Sequence, residues 1–301
     1  VIGQSARGFG QLATSRPLTH LVRVCIVMVS NLTYFTGLAA LPLADAAAVD
    51  LARARSEGAK ALWQGRAEWR VRQATGAAWE PVTPSGWLVE DTLSARISPQ
   101  LGLAALVGAL RAQRVEVRVG AADEVGAVVH ATGVAGLADL SAYVGRTVGA
   151  GVKGQALALR HEARDLPQLF VDGLHIVPHV DGTVAIGSTS EPVWHEDAPD
   201  AQLDGLLTRA VAAVPVLAGA EVVARWAGVR PRAASRAPVL GEWPGRAGHY
   251  VANGGFKIGF GMAPKVAEVM ADLVLDGRDA VPEAFSVVAL LSKGVARDGA
   301  L

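Results

Sequence analysis

The sequence predicts a mixed α/β fold, in which a helix-flanked sheet built from discontinuous segments is interleaved with an antiparallel sheet. Three observations carry this. Apolar residues recur at helical spacing in 46–64, in SPQLGLAALVGALRAQ from Ser98 and in AQLDGLLTRAVAAVPVL from Ala201. The middle of the chain, GVKGQALALR and then LHIVPHVDGTVAIGSTSE, alternates apolar and polar residues around an Asp181-Gly182 turn, the pattern of antiparallel hairpins. From Ser98 onward a helix is followed by two strands, the order found in the later half of a nucleotide-binding sheet.

The elements follow in order. VIGQSARGFGQLAT reads as a strand end, a glycine turn and a short helix stopped near Pro17, and LVRVCIVMV as a β-branched second strand. After the helix at 46–64, AEWRVRQ and SGWLVED are strands bracketing a loop with Pro81 and Pro84. Ser98-Pro99 opens the next helix as N-cap and first helical position. VEVRVGA is then expected as a strand, and GAVVHATGVAGL as a strand ending in a glycine turn. HYVANGG is a strand, and MAPKVAEVMADLVLDG a helix closed by Asp276-Gly277.

Composition excludes several classes. Lys plus Arg and Asp plus Glu number 28 each among 301 residues, so no net field favours nucleic acid. Cys25 is the single cysteine, which rules out an internal disulfide and a thiolate cluster. The seven histidines show no metal-ligand spacing, so no metal site is expected. Residues 24–44 carry no charge, but Ser30, Asn31, Thr33, Thr36 and Pro42 dilute the run. Arg7, Arg16 and Arg23 upstream also permit a signal-peptide reading. A buried strand and loop in a cytoplasmic protein is the expectation taken; a membrane-attached chain stays open.

Two glycine motifs bear on function. Gly3-Gln4-Ser5-Ala6-Arg7-Gly8 is a dinucleotide fingerprint in which Ser5 replaces the glycine that lets a pyrophosphate touch the backbone. Met28-Val29-Ser30-Asn31 stands where an acidic ribose ligand is usual. Near the other end, GGFKIGFGMAP from Gly254 bares the backbone between a strand and a helix and places one cation, Lys257, in it.

In order and spacing, AVVHATGVAG, GVKGQALAL, LHIVPHVDGTVAIGSTSE, WAGVRPRAASRAPVLGEW and YVANGGFKIGFGMAPKVAEVMADL resemble the FAD-dependent D-amino-acid oxidase and glycine oxidase family. The resemblance covers 85–277 well, 36–84 loosely and the residues before 36 poorly. It implies a Rossmann-like FAD-binding domain from 1–45, 95–150 and 229–301, with an antiparallel-sheet substrate domain from 46–94 and 151–228. It further implies that Gly254, Gly255, Phe256, Ile258 and Gly259 pass beneath the flavin, with Thr132 and Gly133 in a turn beside the dinucleotide and Gly3, Ser5 and Gly8 at its pyrophosphate. Arg230 matches the position that holds a substrate carboxylate, a task suited to a planar guanidinium fork. Arg232 and Arg236 are alternatives in the same basic loop. Lys257 falls near the substrate carboxylate or the flavin, and His175 stands where glycine oxidases carry a tyrosine over the substrate.

The expected reaction is oxidation of a small amino acid or secondary amine by hydride transfer from the α-carbon to flavin N5, giving an imine. Oxygen or another acceptor then takes the electrons. Two alternatives stay open: an inactive family remnant or binding protein that has lost FAD binding, and a membrane-associated amino-acid dehydrogenase.

Overall fold

The computed structural model describes Gly58, residues 66–120 and residues 123–292. The expected elements before residue 58 and the fingerprint residues Gly3, Ser5 and Gly8 lie outside the described residues. The chain divides into two compact units. Unit 1 comprises Val1–Ser98, Ala158–Gly187 and Asp204–Val223; unit 2 comprises Pro99–Leu157, Ser188–Leu203 and Ala224–Leu301.

In unit 1, strands β1 (Trp69–Gln73) and β2 (Trp87–Asp91) form the antiparallel hairpin expected around Pro81 and Pro84, with Val71 opposite Val89. A charged cluster holds its base. Arg72 Nη1 donates to Glu80 Oε1 at 2.5 Å and Arg72 Nε to Glu90 Oε1 at 2.6 Å, while the Thr75 and Gly76 amides donate to Glu80 Oε2. Burial pushes the Glu80 carboxyl up, but the hydrogen bonds from Arg72 and Thr75 outweigh it and bring the carboxyl down to about 2. A carboxyl depressed in the folded state stabilises above its ordinary value, and that contribution is lost as pH falls through the folded value. The parent is therefore expected to lose stability as pH drops from 4.5 to about 2. Glu80→Gln should be less stable at neutral pH and flatter across that window, as checked by urea melts at stepped pH.

The other hairpins also form. Three strands follow: β4 (Gly149–Arg160), β5 (Leu169–Val171) and β6 (Leu174–Pro178). β7 (Thr183–Gly187) and β8 (Val222–Ala233) complete a sheet of order β5-β6-β7-β4-β8. Gly182 takes a positive φ of 78° at the β6–β7 turn, which explains the Asp-Gly pair. The division between the units runs through β4 and β8. Leu174, Ile176, Val184 and Ile186 turn inward from β6 and β7, each about 1.5–3 kcal/mol of apolar burial. Helix α3 (Gln202–Ala213) buries Leu203, Leu206 and Ala210, spaced as one helical face.

Unit 2 holds α1 (Pro99–Ala112), β3 (Val128–His130), α2 (Gly133–Val144), β9 (Val239–Glu242), β10 (His249–Asn253), α4 (Gly259–Asp276) and α5 (Val287–Ser292). β10 lies between β3, parallel to it, and β9, antiparallel. Leu140, Val148, Ala233, Val239, Trp243, Val251, Val287 and Leu290 form the core against this sheet.

Three expectations need correction. VEVRVGA forms no strand over 115–120: Val115, Val117 and Val119 are exposed, and β propensity without a neighbouring strand leaves the backbone unpaired. The glycine turn after VVHAT is the first turn of α2, a full helix ended by Gly145 in the left-handed conformation. The last long helix begins at Gly259, ahead of the expected Met262, because Met262 N–H already donates to Ile258 O.

Candidate active site

Two loops meet at the ends of the parallel strands β3 and β10, the position where open α/β sheets bind ligands. Asn253 ties them together. Its Nδ2 donates to Gly133 O at 2.7 Å, and its Oδ1 accepts the Gly254 amide at 2.7 Å. Thr132, Gly133 and Gly254 are thereby brought together. Thr132 caps α2 without a side-chain hydrogen bond, and Ile258 does the same for α4, so both helices present free amides at their N-termini.

The glycines are required for different reasons. Gly133 and Gly254 adopt φ of 61° and 75°, where a side chain is strained. A Cβ on Gly255 would lie 2.9 Å from Gly259 Cα, a backbone atom that cannot yield. A Cβ on Gly259 would meet open space. Phe256 itself has a φ of 43°, held by its amide, which donates to Pro231 O at 3.2 Å. That bond lays the loop carrying Lys257 alongside the strand carrying Arg230.

Arg230 crosses the strand β4 where Gly154 leaves it bare. A Cβ at Gly154 would fall on the guanidinium, against Nη1, Nη2 and Cζ. Nη2 donates to Ser188 Oγ at 2.7 Å and Nη1 to Thr189 O at 3.3 Å. Both acceptors are neutral, and among the described residues no carboxylate pairs with Arg230. Burial lowers its pKa from the ordinary value and the charge of Glu191 opposes that shift. Lys257 is exposed as a residue, yet its ammonium is pushed down, first by partial burial and then by the positive charge of Arg230. The ammonium lies 5.6 Å from the Phe256 ring centroid.

His175 is in unit 1, exposed on β6 opposite Phe170, whose ring is 4.7 Å away. Arg236 has left β8 and takes a positive φ of 58° in the turn that follows. Although no metal centre is expected from the sequence, Glu124, His130 and His249 place ligand atoms within 4.8 Å of one another. His130 Nε2 and His249 Nδ1 face each other at hydrogen-bond distance, 3.0 Å, and Glu124 is engaged by Arg246 at 2.8 Å. These groups therefore already have partners.

Residues 32–273 match the family model described as FAD dependent oxidoreductase. The chain belongs to that family. The cofactor of the family is FAD, in agreement with the resemblance read from the motifs. The chain is 34% identical over 125 residues to the glycine oxidase of Pseudomonas putida, a match covering 41% of this chain and 34% of the relative. It is 37% identical over 152 residues to the glycine oxidase of Geobacillus kaustophilus, covering 49% of this chain and 40% of the relative. The chain thus spans two-fifths or less of the length of these curated relatives. Among solved structures, it is similar to iminodiacetate oxidase from Chelativorans sp. at a TM-score of 0.67 and 21% identity, covering 80% and 72% of the two chains. That likeness shows the fold of a family member.

Four residues were not singled out from the sequence: Asn253, Gly154, Ser188 and Thr189. Asn253 had a signal, a lone amide at the end of an apolar strand just before two glycines. Replacing Lys257 by Met is expected to leave the protein folded while slowing flavin reduction or reoxidation, since the ammonium is one of two cations at the loop. Stopped-flow absorbance traces matching the parent's would show that Lys257 acts on neither the ring nor the substrate.

Proposed function

We propose that this chain acts in the FAD-dependent oxidation of a small amino acid or secondary amine, with Arg230 holding the substrate carboxylate. The observation that carries this reading is the half-buried guanidinium of Arg230, fixed by neutral acceptors and paired with no carboxylate among the described residues. A desolvated cation in that state favours an external anion, and its fork matches a carboxylate in two parallel hydrogen bonds. Lys257 adds positive charge beside it.

The described residues fit a flavin in the backbone they leave bare. The bare backbone at Gly133 and Gly259, with open space where a Cβ would stand, lies at two uncapped helix N-termini. Thr132, Gly133, Gly254, Gly255, Phe256, Ile258 and Gly259 would hold it there, and amides at a helix N-terminus favour negative charge. When bound, FAD supplies a two-electron acceptor for the hydride of the substrate α-carbon, which leaves an imine. The chain's own work is to hold the carboxylate, orient the amine and exclude water. His175 facing the substrate, oxygen or another compound as the final acceptor, and a cytoplasmic location belong to the same proposal.

An absorbance spectrum of the purified protein tests it. A band between about 350 and 500 nm belongs to a flavin and not to the polypeptide. The expected result is that band, bleached by glycine or another small amino acid in the absence of oxygen. A protein that stays colourless after incubation with FAD overturns the reading in favour of a remnant that has lost its cofactor.

A further inference from the structure

Behind Arg230, on the opposite face of β4, lies a buried ionic cluster that the proposed chemistry does not use. Successive residues of a strand point to opposite faces, so Gly154 faces Arg230 while Lys153 and Gln155 face away from it. Lys153 is 2% exposed and Gln155 fully buried. The Lys153 and Glu191 backbones pair as partners, the Lys153 amide donating to Glu191 O at 2.9 Å and the Glu191 amide to Lys153 O at 2.8 Å. Their side chains meet as well: Lys153 Nζ lies 3.7 Å from Glu191 Oε2 and donates to Asp200 Oδ2 at 3.1 Å. Glu191 also accepts from Gln155 Nε2 at 3.0 Å, from Gln202 Nε2 at 3.1 Å and from the Thr189 hydroxyl.

Thr189 is the link between the two faces. Its hydroxyl binds Glu191, and its carbonyl accepts from Arg230. The Glu191 carboxylate is therefore a buried anion joined to the Arg230 acceptor through the Thr189 side chain. Asp200 is 44% exposed, so water screens its charge; Lys153 and Glu191 are the charges without that screening.

We propose that Lys153 is a positioning residue that neutralises Glu191 from behind, leaving the field of Arg230 free for a carboxylate on its open face. This inference rests on the reading of Arg230 as the carboxylate site. Without Lys153, a buried negative charge would stand behind the guanidinium and repel an incoming anion, an effect of low-dielectric surroundings that water would otherwise erase. Glu191 is also expected to be dispensable for anion binding once its charge is gone, because its remaining role is to be neutralised.

Acetate, the smallest carboxylate probe, is titrated into the full chain by calorimetry, for the parent, Arg230→Ala, Lys153→Met, Glu191→Gln and the Lys153→Met/Glu191→Gln double variant. Arg230→Ala should abolish the heat of binding; if it does not, the reading of Arg230 fails. Given that loss, Lys153→Met should weaken acetate about tenfold. Glu191→Gln should bind as tightly as the parent or more tightly, and the double variant should return to within about threefold of it. Lys153→Met binding like the parent overturns the inference, and so does a double variant as weak as Lys153→Met. Should Lys153→Met fail to fold, Glu191→Gln decides alone: binding weaker than the parent overturns the proposal, and undiminished binding supports it.

Discussion

Arg230→Ala is expected to raise KM for a carboxylate-bearing amine strongly, by the equivalent of about 1.5–3 kcal/mol, the usual loss when a charge-assisted pair is removed. The structure explains why one residue should carry so much. The guanidinium is half-buried, fixed at two points and, among the described residues, without a competing carboxylate, so little of its charge is dissipated before substrate arrives. The effect should be in KM far more than in kcat, because the carboxylate stays bound as the α-carbon reacts. Arg232→Ala should change KM much less. Steady-state kinetics of both variants against the parent decide: equal effects, or none from Arg230, would sink the assignment.

Nearly as large an effect is expected from adding one carbon atom. In Gly154→Ala the new Cβ takes the place of the Arg230 guanidinium. What it meets is the far end of a flexible side chain, so the arginine moves and the strand does not. Stability should therefore fall by about 1–3 kcal/mol, the cost of the guanidinium giving up its two hydrogen bonds while the strand keeps its place. Carboxylate affinity should fall nearly as far as in Arg230→Ala, since a displaced fork loses both its acceptors and its orientation. Combining the two substitutions should add little, because each removes the same interaction. A Gly154→Ala protein with the parent's KM would show that the guanidinium does not act from its place over β4.

How far the sequence could be read depended on whether a residue's role was local. The hairpins at 69–91 and 174–187 were legible because alternation and turn chemistry act over a few neighbours, as at Gly182. The family motifs drew attention to Arg230 and to the run from Gly254 to Gly259 for the same reason. Gly154 was not legible: in GVKGQ it resembles any strand glycine, and its purpose is a side chain 76 positions later. Ser188 and Thr189 lie 42 and 41 residues from Arg230, and Thr189 contributes only a backbone carbonyl, which no side-chain pattern reports. VEVRVGA misled because valine spacing registers propensity and not whether a partner strand is present. Helix α2 was hidden by the glycines at its start, which read as a turn and serve as its first turn.

The hydrogen bond from the Phe256 amide to the Pro231 carbonyl closes a loop of chain 25 residues long, and the Arg230 bonds close longer ones. Contacts of such sequence separation cost more loop entropy than the hairpins do, and are expected to form after them. An anion that needs Arg230 beside Lys257 therefore finds its binding place in the finished protein and not in the folding transition state. Its stabilisation must then appear as slower unfolding, while the rate at which the chain folds stays the same. For a protein of this construction, substrate in the medium acts as protection against opening of the native state and gives no help to a chain still finding its fold.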